Sequence, residues 1–198
     1  MNNRFQRQEV KTEYREIRND EELRWLVNRE TYLIRETGET ITRSTIRHAG
    51  ICVIVPFIDQ DHILLIHQYR LAVDDFLWEL PAGTIEGREE NARMIPTETA
   101  PKCAVRELRE ETGYLASQLE KVCECYAMPG SSDELIHIFL ARDLIKDEPS
   151  LDIGEIIDLM RPFTFSEIEA MIAAGEIRDA KTLVGLFFAI KRQKSGGD

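Results

Sequence analysis

The 198-residue chain lacks any apolar run long enough to cross a bilayer: its most apolar stretches, 51–58 and 183–190, fall far short of the ~20 residues a membrane helix needs. Its opening residues, Met1 to Arg7, hold no apolar segment of the secretory-signal type, so the chain reads as soluble and cytoplasmic. Cysteine is scarce. Cys52, Cys103, Cys123 and Cys125 form no CxxC pair, which argues against a zinc site or a disulfide framework and for reduced, partly buried thiols. Basic residues are outnumbered 25 to 36, and the net charge of −11 argues against nucleic acid or an anionic membrane as partner. The same charge repels a phosphate-bearing substrate, unless a bound divalent cation offsets it locally. Repeats and low-complexity tracts are absent too. What is present, 43% hydrophobic and 31% charged residues, is the composition of an ordinary globular protein that can bury a core without staples.

The pattern along the chain predicts a small β-rich appendage over 1–46, a main domain over 47–194 and a tail over 195–198. Asn19-Asp20 before 21–26 has the form of a short capped helix. Residues 32–36 and 40–46 flank Thr37-Gly38-Glu39 as a hairpin. The β-branched runs 51–58 and 63–69 suit buried strands, and 76–80 a further strand ending at Pro81-Ala82-Gly83. A helix capped by Thr99 and ended by Gly113 follows, then strands over 120–128 and 135–141 joined by the loop 129–134. Helices close the chain over 166–174 and 181–191, with Gly175 as the break. The fold class is α/β (α+β layered), an α/β/α sandwich on a mixed sheet.

On the helix expected over 99–112, Glu107 and Glu111 lie one turn apart and Glu110 borders the same face, while Val105, Leu108 and Thr112 suit the packing side. A solvated face of ion pairs is the ordinary explanation of such a pattern. Two details oppose it. Glu110 and Glu111 occupy the last turn, where the helix dipole disfavours anions. Arg106 precedes Glu110 by four, the less favourable order for such a pair. Clustered carboxylates suit a hard divalent cation, magnesium rather than zinc, since no His or Cys joins the acidic face.

The run Arg106-Glu107-Leu108-Arg109-Glu110-Glu111-Thr112-Gly113-Tyr114 resembles the second half of the Nudix box, R-E-U-x-E-E-x-G-U with U apolar. By composition, its fixed residues should coincide in about one in a million windows. Gly83 and Glu89 fit the opening of the box, with nine more residues than usual between Glu89 and Arg106, taken as an excursion near 91–97. Glu98 stands at the usual distance before Arg106, but Ala92 then replaces the expected glycine. Gln68-Tyr69-Arg70, Trp78-Glu79-Leu80-Pro81-Ala82-Gly83, Pro129-Gly130 with Glu134, and Asp179-Ala180-Lys181-Thr182 resemble the ADP-ribose pyrophosphatases and related sugar-nucleotide hydrolases. The likeness covers roughly 48–190.

That resemblance implies Mg2+-dependent (or Mn2+-dependent) hydrolysis of a nucleoside diphosphate linked to a sugar, with ADP-ribose giving AMP and ribose 5-phosphate. It implies Glu107 and Glu111 as metal ligands, assisted by Glu110 and the Ala82 carbonyl, with Arg106 orienting the carboxylates. It places Arg70, Glu79 and Gly130 at the substrate and makes Glu134 the general base, on a loop able to close. Two or three metal ions would neutralise charge and activate water for in-line attack at phosphorus. A homodimer formed through the N-terminal region is part of the same expectation. GDP-mannose or another NDP-sugar is the nearest rival substrate. A non-catalytic nucleotide-sugar sensor is the rival of another class, expected to lose box glutamates or to carry a DNA-binding module.

Overall fold

The computed structural model describes residues 4–18, 22–148 and 156–195. The chain runs through β1 (Phe5–Arg18), β2 (Glu22–Ile34), β3 (Thr40–His48), β4 (Ile51–Pro56), β5 (His62–Arg70) and β6 (Asp75–Glu79). Short strands β7 (Ala82–Thr84), β8 (Gly87–Glu90) and β9 (Arg93–Pro96) lead into α1 (Ala100–Thr112). Then come β10 (Tyr114–Tyr126), β11 (Leu135–Lys146), β12 (Ile157–Thr164), α2 (Phe165–Ala174) and α3 (Ala180–Ser195). These elements fold into two compact units, one of residues 1–50, 84–99 and 126–135, the other of 51–83, 100–125 and 136–198.

In the first unit, β1, β2 and β3 form an antiparallel sheet in that order. Leu26, Asn28 and Glu30, every second residue of β2, are fully buried, the period that places one face of a strand against a core. The helix expected over 21–26 is therefore a strand from Glu22 onward, while Asn19, Asp20 and Glu21 lie outside the described residues. Leu26 pairs with Arg15 on one side and Arg47 on the other, and this two-sided pairing outweighs a local capping signal. The expected hairpin at Thr37-Gly38-Glu39 is present, with Gly38 at φ 74° and its N–H donating to Ile34 O at 2.9 Å.

The excursion after Gly83 is a second hairpin. β8 pairs with β9 through a two-residue loop, Asn91-Ala92, both at positive φ (52° and 56°) as a type I′ turn demands. Asn28 Nδ2 donates to Ala92 O at 2.7 Å, tying the turn to β2. At its base Thr97 N donates to Glu86 O at 2.7 Å, and Glu86 N to Glu98 Oε1 at 3.0 Å.

The second unit holds a four-stranded sheet, β10-β11-β4-β7, and a three-stranded antiparallel sheet, β12-β5-β6. β11 and β4 are parallel, Ile138 facing Val53 in register, so the larger sheet is mixed as expected. α1 and α3 both pack on β4. Cys52 Sγ–H donates to Ala100 O of α1, whereas Val55 meets Gly185 of α3, and residues of opposite parity on a strand face opposite ways. This is the layered α/β/α arrangement. Its core joins Val53, Val55, Leu65, Leu80, Ile138, Leu140 and Leu186. β10 starts at Tyr114 rather than 120, β11 runs on to Lys146 rather than ending at 141, and the strands β1 and β12 were unremarked in the sequence pattern, β12 edging the smaller sheet.

The buried face of α1 is Cys103, Ala104, Glu107, Leu108, Glu111 and Thr112, so two glutamates lie inside the packing stripe. Val105, assigned to the packing side, is 36% exposed; at 100° per residue it points away from the Ala104–Leu108–Glu111 line.

Ala92 occupies a left-handed position that costs an L-residue about 1–2 kcal/mol and where such turns favour glycine. Ala92→Gly is expected to stabilise the protein by about 1 kcal/mol in urea unfolding, after allowance for the freer unfolded glycine.

Candidate active site

The helix α1 meets the chain at Ala82-Gly83 with no space to spare. A Cβ added to Gly83 would stand 1.8 Å from Glu107 Cδ and 1.9 Å from its Oε1. Only a residue without a side chain lets the Glu107 carboxylate lie there. One turn on, Glu111 Oε2 accepts from Ala82 N at 2.9 Å. Both glutamates are nearly buried, at 6% and 4% exposure, so these carboxylates are held rather than solvated.

Arg106 works between the acids. Its Nη1 donates to Glu107 Oε1 at 2.7 Å and to Glu110 Oε2 at 3.0 Å. Glu110 is turned outward on this bridge, its side chain 28% exposed. Among the described residues no three His, Cys, Asp or Glu side chains gather as a ready-made metal cage. Glu107 and Glu111 thus share one face as their spacing predicts, but it is the buried stripe with Leu108 and Thr112 rather than a face opposite the packing side, and Glu110 stands apart from them. Oxygen donors from two fixed carboxylates beside a backbone turn nevertheless match the preference of a hard divalent cation.

Cys103 lies one turn before Glu107. Its thiol donates toward Gly83 O at 3.7 Å and accepts from Arg106 Nη2 at 3.7 Å. The hydrogen bond with its neighbour Cys52, then burial and the acid nearby push this thiol far up, so it is a neutral packing group.

Arg70, at the end of β5, forks onto Glu79 of β6, Nε and Nη2 each 2.7 Å from a carboxylate oxygen. Glu79 is 1% exposed and also binds Lys181 of α3. Burial works against the Arg70 charge, but Glu79, and more distantly Glu111, outweigh it and raise its pKa. The sequence marked Arg70 and Glu79; it gave Lys181 no role, although a lysine in the first turn of a helix opposes the dipole and was a visible signal.

The remaining candidates lie in the first unit. The loop before β11 is pinned to β3: Ile46 N donates to Ser131 O at 2.8 Å, Asp133 N to Ile46 O at 3.2 Å, and His48 N to Asp133 Oδ1 at 2.9 Å. These bonds tie the loop to β3 in this conformation. Gly130 has open space where a side chain would sit, so no packing demand explains the glycine. A cavity of about 400 Å³ is lined by Tyr32, Arg47, Tyr126, Gly130 and Asp133, of which only Gly130 stood among the sequence candidates. Arg47 is fixed there by Asp133 and by the buried Glu30, which also accepts from Tyr32. Burial pushes the Glu30 carboxyl up, but the bonds from Arg47, Tyr32 and Asn28 hold it down at about 2.

Glu134 Oε2 stands 3.7 Å from His48 Nε2. Burial first, then the Arg24 charge, lowers the His48 pKa to about 4, so this imidazole is neutral at pH 7. Its Nδ1 accepts from Gly50 N at 3.0 Å, which assigns the ring proton to Nε2, on the side of Glu134.

With this geometry in view, residues 46–184 match the NUDIX domain family. An ADP-ribose pyrophosphatase of Bacillus subtilis (strain 168) is 33% identical over 73% of this chain and 74% of its own. A methanol dehydrogenase activator of Bacillus methanolicus is 34% identical over 75% and 76%. A GDP-mannose pyrophosphatase of Yersinia enterocolitica is 34% identical over 64% and 65%. The crystal structure of an ADP compounds hydrolase shares the fold, with TM-score 0.78 over 98% of this chain and 96% of that one, at 20% identity.

Two outcomes follow from the site itself. Gly83→Ala must displace Glu107, so Mn2+ binding should weaken and turnover fall about 100-fold with an unchanged circular dichroism spectrum. His48, neutral in the fold and ordinarily titrating near 6.5, binds its proton only in the unfolded chain between pH 6.5 and 4, so stability is lost as pH falls through that window. From pH 7 to pH 5 its share of the loss is about 2 kcal/mol, and urea unfolding of His48→Gln should show a pH slope smaller by that amount.

Proposed function

The chain belongs to the NUDIX domain family of hydrolases, and on that footing we propose that it cleaves the diphosphate of ADP-ribose, giving AMP and ribose 5-phosphate. The observation that carries this reading is the Glu107 carboxylate lying over the bare Cα of Gly83, beside Glu111 on the Ala82 N–H. Two oxygen donors held this way suit Mg2+, with Mn2+ as a substitute, and Glu107 and Glu111 are the residues that would hold it. When bound, the cation neutralises phosphate charge and makes water more acidic.

The chain's own groups do the rest. Arg106 keeps the Glu107 and Glu110 carboxylates oriented. Arg70 presents its guanidinium, anchored by Glu79, to a phosphate oxygen. Glu134 is the general base that accepts a proton from the attacking water, beside a neutral His48. The phosphorus–oxygen bond to one phosphate breaks as water's oxygen joins the other, so each product carries one phosphate.

The hairpin also bears on which glutamate opens the box. Fourteen residues separate Gly83 from Glu98; setting aside nine as the inserted hairpin leaves the usual five, and the usual seven lie between Glu98 and Arg106. Glu89, preferred on the sequence alone, is instead in the hairpin and bound by Arg15, 2.6 Å and 2.9 Å from its two oxygens. We assign the first box position to Glu98.

Likeness to a GDP-mannose pyrophosphatase supports that sugar nucleotide as a second reading. The N-terminal sheet is our candidate for a homodimer contact.

A hydrolysis screen with Mg2+ across ADP-ribose, GDP-mannose, UDP-glucose and diadenosine polyphosphates tests the assignment. ADP-ribose should be turned over fastest. Glu107→Gln and Glu111→Gln should lose at least 100-fold, and Glu134→Gln should lose 100-fold or more while still binding Mn2+. Preference for GDP-mannose would move the substrate; no turnover of any compound would favour the sensor.

A further inference from the structure

Lys181 is the second residue of α3, where the helix dipole disfavours a cation, yet only 15% of its side chain is exposed. Two carboxylates account for its place. Its ammonium binds Glu79 Oε2 and lies 3.0 Å from Asp179 Oδ2. Asp179 is itself tied to the helix start, accepting from Thr182 N at 2.9 Å. Burial pushes the Asp179 carboxyl up, but the Lys181 charge and the Thr182 bonds outweigh it and keep it ionised. Beside this charged link runs a neutral one, from Leu80 N to Thr182 Oγ1 at 2.9 Å. Glu79-Leu80 and Lys181-Thr182 are thus joined twice, side by side, and the start of α3 cannot shift without disturbing Glu79.

The Glu79 carboxylate is 1% exposed and carries three bonds: Arg70 Nε on one oxygen, Arg70 Nη2 and Lys181 Nζ on the other. With Arg70 alone, the carboxylate and guanidinium are free to swing together as one rigid pair. A second cation on Oε2 fixes the plane of the carboxylate and, through the fork, the plane of the guanidinium. The fork uses Nε and Nη2, and among the described residues Arg70 Nη1 donates to no protein acceptor.

We propose that Lys181, held by Asp179, is a positioning residue for Arg70: it locks the buried Glu79 carboxylate so that Arg70 Nη1 is aimed at a phosphate oxygen of the substrate. What Arg70 meets rests on the diphosphate hydrolase reading above; the locking of Arg70 is a property of the protein without substrate, and the test separates the two.

In substrate-free protein labelled with 15N-arginine, the Arg70 Nε–H signal is identified by its loss in Arg70→Lys. Its hydrogen exchange with water should be at least tenfold faster in Lys181→Met than in the wild type, and within threefold of wild type in Lys181→Arg. With ADP-ribose and Mg2+, kcat/KM should fall at least tenfold in Lys181→Met and recover to within threefold in Lys181→Arg. Lys181→Met added to Arg70→Met should cost no more than a further twofold, since the two act through one group. Unchanged Arg70 exchange, or losses that multiply in the double variant, overturns the proposal. A wild type that hydrolyses nothing overturns the hydrolase reading and leaves the exchange rates to decide this one. Lys181→Gln, read by the same two measurements, replaces Lys181→Met if circular dichroism shows that variant unfolded.

Discussion

The approach of the Glu107 carboxylate to the bare backbone of Gly83 sets what the neighbouring structure must do. A buried carboxylate has lost its water and must be given partners. Arg106 supplies them on the helix, and Ala82 N–H does the same for Glu111. For the helix to come that near, its other contacts with the sheet must be small or flush. Cys103 and Ala104 provide this on the first turns, with Leu108 filling the space that remains. The small residues of α1 and the glycine of β7 are two sides of one requirement, and the order of the carboxylates follows from it.

Buried acids elsewhere in the chain are treated the same way, each given two cations. Glu30 takes Arg47 and Arg7 in the N-terminal sheet; Glu79 takes Arg70 and Lys181 in the other unit. A single pair in low dielectric leaves carboxylate lone pairs unmet and recovers little of the cost of desolvation. The second cation meets them and fixes orientation besides. Each cluster takes in a second carboxylate as well, Asp133 on Arg47 and Asp179 on Lys181, so the buried charges are balanced within it.

The layered fold was legible because its strands are short, β-branched and bounded by turns, and α1 carries its own stop at Gly113. The N-terminal strand β2 was not. Its first residues have the polar start of a capped helix, and only pairing with two distant strands, seen at Leu26 against Arg15 and Arg47, overrides that. Val105 was misplaced for a different reason. A hydrophobicity pattern assigns apolar residues to the inside, but here the inside of α1 holds Glu107 and Glu111, and the apolar Val105 is displaced outward. The same logic hid Lys181, Asp179 and Arg47: charged residues look solvated until a buried partner is known. Glu107, Glu111, Arg70 and Glu79 were readable because a resemblance named them; the one-turn spacing of Glu107 and Glu111 gave an independent reason for that pair, and the helix dipole a further one for Glu111.

The spacing of the box is where sequence distance and spatial distance part most clearly. Nine extra residues look like damage to a motif when counted along the chain. In space they are a hairpin whose two ends meet, Thr97 bonded to Glu86 and Glu86 to Glu98, so the segment between costs the motif nothing. A hairpin is the form of insertion that does this most simply, because antiparallel pairing returns the chain to its starting point with its own hydrogen bonds satisfied. Asn28 on Ala92 O then secures the far end. Glu98, at the base of the hairpin and two residues before α1 begins, keeps the seven-residue interval to Arg106 that Glu89 lacks.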